Sequence, residues 1–202
     1  LFNLITGHLP SDSGEVIFNG ERITGLPSYH ICRKGIGRSF QRINIFKGLS
    51  AFENIQISIL CGHGKSLSFL RPARSMVRDQ TEEILTDIGL IEQADSLAGK
   101  LAYGDQKSLE FGIALTNSPK LVLLDEPTGG MSPEESTAIT NLIRDVVKRR
   151  KITLLFVEHD MRVVFGVSER ITVMNRGQKV TEGSPEEISR NEEVRRIYLG
   201  EG

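Results

Sequence analysis

The chain has 202 residues and a formal net charge of −1, with 25 Lys and Arg against 26 Asp and Glu. This length supports one large domain, or a core with an added subdomain, and the charge balance excludes the strong positive field of a nucleic-acid or membrane-surface binder. No apolar run approaches the roughly 20 residues of a membrane span. The cysteines, Cys32 and Cys61, lack the spacing of a metal site and are typical of a reducing compartment.

The first residues predict a short helix in which Leu1, Leu4 and Ile5 form an apolar face and Gly7 follows as a stop. Further along, the segment Gly35–Phe40 is strand-like and places Gln41 directly after it. A glutamine on its own is a common surface residue, so Gln41 gains meaning only from the motifs that follow.

Residues 44–117 break the alternation of strands and helices. The segment Cys61–Ser66 predicts a flexible loop. Its Gly-Lys-Ser sequence is not a phosphate loop, because Ile59 stands where the first glycine is needed. A helix is predicted from about Arg71 to Ile88, with Gly89 as its stop. The residues expected to face inward are Val77, Ile84, Leu85 and Ile88.

The segment Leu101–Gln106 precedes a second predicted helix in this region, from about Lys107 to Asn117. Gly104 stands near the start of that helix. A glycine at a helix N-terminus leaves N–H groups facing outward, which is a ready anion site.

Two apolar runs, Leu121–Leu124 and Ile152–Val157, predict central strands of a parallel sheet with helices on both faces. The first run is followed by Asp125 and Glu126, and the second by the segment Glu158–Asp160. A strand that merely stops at a polar turn would look the same. Because ligands collect at the carboxyl ends of parallel strands, we expect these groups to share one rim.

Backbone pleating gives the two adjacent carboxylates different directions and therefore different roles. Asp125 is expected to support Mg²⁺, through a bound water, and Glu126 to polarise an attacking water. His159 is expected on the same rim as Glu126, where its imidazole would contact a γ-phosphate.

Between these strands, Ser132 predicts a helix N-cap and Glu135 closes a capping box. The helix ends in the basic run Lys148–Lys151, which is interpreted as a solvated helix end. Its predicted buried stripe consists of Ile139, Leu142, Ile143, Val146 and Val147.

The C-terminal part predicts a hairpin, with strands Ile171–Met174 and Gln178–Thr181 joined by a turn containing Gly177. Ser184–Glu187 repeats the capping-box pattern, and a last helix is expected to end at about Leu199. No chemistry is assigned to these elements.

Taken in order, Gln41, the Leu101–Gln106 loop, the Leu121–Pro127 strand end and His159 resemble the Q-loop, signature, Walker B and switch histidine of ATP-binding-cassette ATPases. The resemblance covers the whole chain. It implies an α/β fold with a P-loop NTPase-like parallel sheet and an inserted α-helical subdomain. In that family a strand like Glu15–Asn19 and a turn like Gly20 follow the first helix.

Finer features resemble the ATP-binding subunits of branched-chain amino-acid importers. They are the Leu-Ala-Tyr-Gly form of the signature, Glu158–Met161, Gly183–Glu187 and Tyr198–Gly200. The resemblance divides the chain into an ATPase core, 1–43 and 118–202, and a helical subdomain, 44–117.

The resemblance also implies the ligands and site residues. ATP and Mg²⁺ are the expected ligands, with Asp125 and Gln41 on the metal and Glu126 and His159 as catalytic groups. The residues assigned to the nucleotide are Gln41, Leu101, Ala102, Tyr103, Gly104, Asp105, Gln106 and Ser132.

Several positions depart from the family pattern. Ala102 and Tyr103 replace the serine and first glycine of the usual signature, so the backbone around Gly104 must carry more of the phosphate contact. Asp105 replaces the final glutamine, and Ser132 stands where many relatives carry an aspartate.

The sequence contains no G-x-x-x-x-G-K-[ST] segment, which would form the phosphate cradle. We expect the chain to be truncated just after that loop, and to bind and hydrolyse ATP only when the loop is supplied.

The implied partners are a second ATP-binding subunit, identical or paralogous, and membrane permease subunits, with no nucleic acid. The expected location is the cytoplasmic face of the membrane, held peripherally. The segment Gln41–Phe52 would dock the permease. Phe46, Leu49 and Phe52 could supply an apolar patch there, although we expect at least two of them to be buried in the core. A soluble ATPase outside transport and a non-catalytic regulatory subunit are the alternatives.

Overall fold

The computed structural model describes residues 1–39, 43–62 and 77–196. It separates into two compact units, Leu1–Val157 and Glu158–Gly202. Within the described residues, no helix has the length and apolar character needed to cross a membrane.

A three-stranded parallel sheet lies at the centre of the first unit, in the order β3–β4–β5. Its strands are β3 (Ile36–Arg38), β4 (Leu121–Asp125) and β5 (Thr153–Val157). The register pairs Ile36 with Leu121 and Leu121 with Thr153. The parallel sheet expected from the two apolar runs is therefore confirmed.

The two apolar runs are not equally buried. In β4, Val122, Leu123 and Leu124 are buried, as expected for a central strand. The prediction was wrong for β5, which lies at the edge of this sheet and alternates between exposed and half-buried residues. Leu155 and Val157 are both exposed.

The chain begins with helix α1 (Phe2–Ile5), whose buried residue is Phe2. The predicted apolar face was wrong for Leu1 and Leu4, which are exposed. Ile5 does pack inward, against the cluster that contains Phe2. A short hairpin follows, β1 (Ile17–Phe18) and β2 (Glu21–Arg22), and then helix α2 (Ser28–Arg33). The predicted strand at Glu15–Asn19 is thus shorter than expected, and its turn contains Gly20.

Residues between 44 and 117 supply helices α3 (Ala51–Gly62), α4 (Arg78–Asp87) and α5 (Tyr103–Leu115). The predicted loop at Cys61 was wrong at its start, because α3 continues to Gly62. The beginning of the helix predicted from Arg71 lies outside the described residues. Its end is confirmed at Gly89, and its predicted inward residues Ile84, Leu85 and Ile88 are buried.

Helix α6 (Pro133–Arg150) returns the chain from β4 to β5. Both halves of its predicted capping box are present: the N–H of Ser132 donates to Glu135 Oε2 at 2.8 Å, and Ser132 Oγ accepts from the N–H of Glu135 at 3.2 Å. Ile139, Ile143 and Val146 are buried, and Leu142 and Val147 pack against them.

Lys148, Arg149 and Lys151 are exposed, as expected for a solvated helix end, but Arg149 and Arg150 also form ion pairs. Arg149 Nη2 lies 2.7 Å from Asp87 Oδ1, and Arg150 also bonds to Asp87. Arg150 further reaches Glu83 at 2.8 Å. The Asp87 side chain is only 11% exposed, so these pairs fasten α6 to the end of α4.

The second unit contains α7 (Met161–Val167), the hairpin β6 (Ile171–Asn175) and β7 (Gln178–Gly183), α8 (Pro185–Ser189) and α9 (Glu192–Val194). The predicted hairpin and the Ser184 capping box are confirmed. Val173, Ile188 and Val194 form its small core. The expected end of the last helix near Leu199 lies outside the described residues.

The Asp87 pairs lead to a stability prediction. Asp87→Asn should lower the free energy of unfolding by about 2 kcal/mol, because two charge-assisted hydrogen bonds in a nearly buried setting are weakened. Glu83→Gln is the matched control. Glu83 is 65% exposed, so its loss should cost less than about 1 kcal/mol. Urea unfolding of both variants measures the difference, and equal losses would contradict it.

Candidate functional site

Asp125 ends β4 at the carboxyl edge of the sheet. Its backbone N–H lies 3.4 Å from Ser39 Oγ, and the N–H of Ser39 donates to Leu123 O at 2.9 Å. Ser39 is buried, whereas the Asp125 side chain is 31% exposed. The Asp125 carboxylate is therefore partly exposed to solvent, while the backbone of its strand is paired with β3 on one side and β5 on the other.

Arg38 lies beside this carboxylate and was missed by the sequence analysis. Its Nη2 is 3.9 Å from Asp125 Oδ2, and its Nη1 donates to Thr6 Oγ1 at 2.8 Å. The side chain is 10% exposed and its guanidinium lies 5.9 Å from the centre of the Phe2 ring. Burial lowers the pKa of Arg38, and the negative charge of Asp125 acts in the opposite direction.

Glu126 begins a tight turn directly after the strand. Its φ is +49°, its N–H donates to Val157 O at 3.0 Å, and its carbonyl accepts from the N–H of Gly129 at 3.0 Å. Because Glu126 has left the pleated strand, its direction is set by this left-handed backbone and not by the strand alternation used in the sequence argument. Asp125 and Glu126 are therefore neighbours with different backbone conformations: Asp125 is the last residue of the strand, and Glu126 has left-handed backbone angles.

The signature segment forms the start of α5. That helix begins at Tyr103, four positions before the predicted Lys107, with Ala102 as its N-cap. Gly104 and Asp105 lie in the first turn, and a Cβ at Gly104 would meet no atom within 4 Å. The predicted open helix start at Gly104 is thus present, one turn earlier than expected.

Polar contacts hold this helix start in place. Gln106 Nε2 donates to Leu101 O at 2.9 Å, and the Gln106 N–H donates to Ala102 O at 2.9 Å. Tyr103 Oη donates to Gly129 O at 3.0 Å. The structure therefore brings the signature segment against the turn that contains Glu126, while Ser132 lies at the capping box that follows the turn.

Glu158, His159 and Asp160 belong to the second unit. His159 is 76% exposed, and its N–H donates to Glu158 Oε2 at 3.1 Å. Asp160 caps α7, and a hydrogen bond from Arg162 lowers the pKa of Asp160. The sharing of one rim by His159 and Glu126 stays a prediction, and Gln41 lies outside the described residues.

The oxygen atoms at the end of β4 suit the ligands expected from the sequence. Mg²⁺ prefers hard oxygen ligands and commonly takes only one or two carboxylates from the protein, leaving the rest to water and phosphate. The partly exposed carboxylate of Asp125 matches that donor type.

A family comparison decides what this arrangement is. The model of the family described as ABC transporter matches residues 1–129, a span that includes the signature segment, β4 and both carboxylates. The chain belongs to the ABC transporter family. A second family, described as branched-chain amino acid ATP-binding cassette transporter, matches residues 178–202.

Curated relatives of this ABC ATPase point in the same direction. The chain is 36% identical to LivG of Escherichia coli K12, described as a high-affinity branched-chain amino acid transport ATP-binding protein, over 100% of this chain and 82% of LivG. It is 35% identical to BraF of Pseudomonas aeruginosa, which carries the same description, over 100% of this chain and 82% of BraF.

Among solved structures, the ADP conformation of MJ1267, an ATP-binding cassette of an ABC transporter, superposes with a TM-score of 0.84 at 29% identity. The alignment covers 99% of this chain and 82% of that one. The chain therefore has the P-loop NTPase-like fold of ATP-hydrolysing ABC subunits, as its motifs predicted, and is similar to those of branched-chain amino-acid transporters.

Besides Arg38, two buried charged residues of the ABC domain escaped the sequence analysis. Lys107 and Glu110 lie on α5 with side chains 4% and 5% exposed, and Lys107 Nζ is 4.0 Å from Glu110 Oε2. They border a small cavity together with Ser39, Leu124 and Pro127. The spacing of three residues between Lys107 and Glu110 on a helix could have indicated their pairing. The position of Arg38 at the end of a strand could have indicated that it lies near the site.

The Arg38–Asp125 pair should show measurable coupling. A double-mutant cycle of Arg38→Gln and Asp125→Asn should give an interaction energy of about 1 kcal/mol in urea unfolding, because Arg38 is nearly buried and solvent screens the pair less than an exposed one. Arg22 and Glu15 supply the control, since their charged atoms are a similar 4.0 Å apart but their side chains are 69% and 55% exposed. A cycle of Arg22→Gln and Glu15→Gln should give less than about 0.5 kcal/mol. Equal couplings would contradict the assignment.

Proposed function

We propose that this protein is the ATP-hydrolysing subunit of an ABC importer for branched-chain amino acids. The observation that carries the proposal is the adjacent Asp125 and Glu126 at the carboxyl end of a buried strand, followed by a turn that is hydrogen-bonded to the start of the signature helix. The descriptions of LivG and BraF support the choice of branched-chain amino acids as cargo.

In the proposed mechanism, Glu126 orients and polarises the water that attacks the γ-phosphate, and Asp125 holds the metal side of the site. When bound, Mg²⁺ would supply charge neutralisation for the phosphates. His159 and Gln41 would contact the γ-phosphate region. Phosphoryl transfer depends mainly on positioning and charge stabilisation, which is consistent with a site assembled from several chain segments.

The signature segment would act across a dimer. The open helix start at Gly104 presents backbone N–H groups, and such a terminus favours phosphate. We infer that these groups complete the nucleotide site of a partner ATP-binding subunit, as the family resemblance implies. Ala102, Asp105 and Ser132 would line the same contact.

The sequence as given contains no phosphate loop. It therefore lacks the lysine and the backbone N–H groups that would bind the β- and γ-phosphates of ATP. We infer that the 202 residues alone neither bind ATP tightly nor hydrolyse it. Hydrolysis would need a phosphate-loop segment joined before Leu1.

The proposed permease contact is a surface formed by Phe46, Leu49 and Leu97. Phe46 is 57% exposed and Leu97 is 41% exposed, while Leu49 is half-buried. Buried Asn54 fixes the loop, because it accepts from the Phe46 N–H at 2.8 Å and donates to Phe46 O at 3.1 Å. The N–H of Ala98 donates to Leu49 O at 2.9 Å, which joins the two loops.

This geometry bears on the residues expected in the patch. Phe46 is available for contact, whereas Phe52 is half-buried against the core and does not belong to the surface. The expected core burial of at least two of Phe46, Leu49 and Phe52 is met only in part, since Leu49 and Phe52 are half-buried and only Phe46 is exposed. An exposed aromatic residue on a fixed loop is a typical anchor of a protein interface, and we propose that it docks a permease at the cytoplasmic face of the membrane.

Hydrolysis provides the main test. The chain as given should show no magnesium-dependent phosphate release, and a version with a phosphate loop before Leu1 should release phosphate. In that version, Glu126→Gln should lower kcat by about 10²-fold or more, because the water loses its base.

Glu134→Gln is the matched control for this measurement. Glu134 is an exposed glutamate in the first turn of α6, so its variant should keep normal turnover. Hydrolysis by the unextended chain, or unchanged turnover in Glu126→Gln, would contradict the proposal.

The docking surface has its own test. Phe46→Asp should weaken co-purification with co-expressed permease subunits by roughly 30-fold in affinity, the effect of losing about 2 kcal/mol at an interface anchor. Leu9→Asp is the control, because Leu9 is 53% exposed elsewhere on the chain. Normal permease binding by Phe46→Asp would rule out this surface.

A further inference from the structure

Tyr103 makes a contact that its place in the signature does not require. It is the first residue of α5, it is 44% exposed, and its hydroxyl donates to the carbonyl of Gly129 at 3.0 Å. The two residues are 26 positions apart, so the bond joins separate parts of the chain. On one side lies the signature helix, and on the other lies the turn that follows Glu126.

The turn is short and closely packed beneath the tyrosine. Besides the Gly129–Glu126 bond already described, the N–H of Met131 donates to Thr128 O at 3.2 Å. Gly130 has a φ of +80°, and a Cβ there would lie 3.3 Å from Tyr103 Oη. The positive φ favours glycine at this position, and a Cβ there would lie close to the phenol.

Both ends of the turn are anchored to rigid elements. At its start the Glu126 N–H bonds to β5, and at its end Ser132 caps α6. The Tyr103 bond reaches the middle of the turn and comes from a different helix. A shift of α5 would therefore act on the backbone of the turn through this bond.

We propose that the hydroxyl of Tyr103 is a positioning group that ties the start of the signature helix to the Glu126 turn of the same chain. This inference rests on the proposed function for its catalytic consequence. Gly104 would contact a nucleotide held by the partner, while Tyr103 transmits the position of that helix to Glu126. Tyr103 thus links the two nucleotide sites of a dimer without touching the reacting atoms.

The physical link is tested first, in the chain as given and without nucleotide. Tyr103→Phe keeps the ring and removes only the hydroxyl. Amide hydrogen exchange at Gly129 and Met131 should become roughly three- to tenfold faster, as expected when one net hydrogen bond is lost from a local opening equilibrium. Tyr29→Phe is the control, since Tyr29 is 58% exposed on α2 and its variant should leave these amides unchanged.

The catalytic consequence is tested in the version that carries a phosphate loop. Tyr103→Phe should lower kcat roughly three- to tenfold with the KM for ATP unchanged, because Glu126 is displaced while ATP contacts remain. Unchanged amide exchange would overturn the link, and a raised KM with normal kcat would show that Tyr103 acts on the nucleotide. If the unsubstituted protein hydrolysed nothing, the proposed function and this catalytic role would both fall, and the exchange result alone would decide the link.

Discussion

The pairing of β4 on both edges is the constraint on which the candidate site depends. Hydrogen bonds to β3 and β5 satisfy its backbone, so the apolar side chains Val122, Leu123 and Leu124 can be buried without leaving polar groups unpaired. The register with β3 and β5 fixes where the strand ends relative to its neighbours. The same register therefore fixes the positions of Asp125 and of the turn after it.

Charge at this strand end is balanced by a cation that is itself buried. Arg38 is nearly excluded from solvent, which costs free energy, and it gains from Thr6 and from the carboxylate of Asp125. The separation of 3.9 Å is longer than a close ion pair. Arg38 therefore steadies the carboxylate and leaves its oxygen atoms able to take another ligand.

Sequence patterns were sufficient where local chemistry decides the structure. The capping boxes at Ser132 and Ser184, the stop at Gly89 and the β6–β7 hairpin could be read from short-range rules. Contacts between distant segments could not be predicted from these rules. They include the Arg38–Asp125 and Tyr103–Gly129 contacts and the pairing of Arg149 and Arg150 with Asp87. The helix α5 starts earlier than its sequence predicts, because a glycine is tolerated in the first turn of a helix and Gly104 does not mark a boundary.

Tyr103 shows how a departure from a motif can add a contact without removing the original one. A glycine at this position would leave the helix start bare, whereas the tyrosine directs its phenol toward its own chain at Gly129. The space around Gly104 stays open, so the backbone N–H groups of the first turn keep their access to an anion. One helix start can therefore serve two purposes, because the backbone of Gly104 and the side chain of Tyr103 make separate contacts.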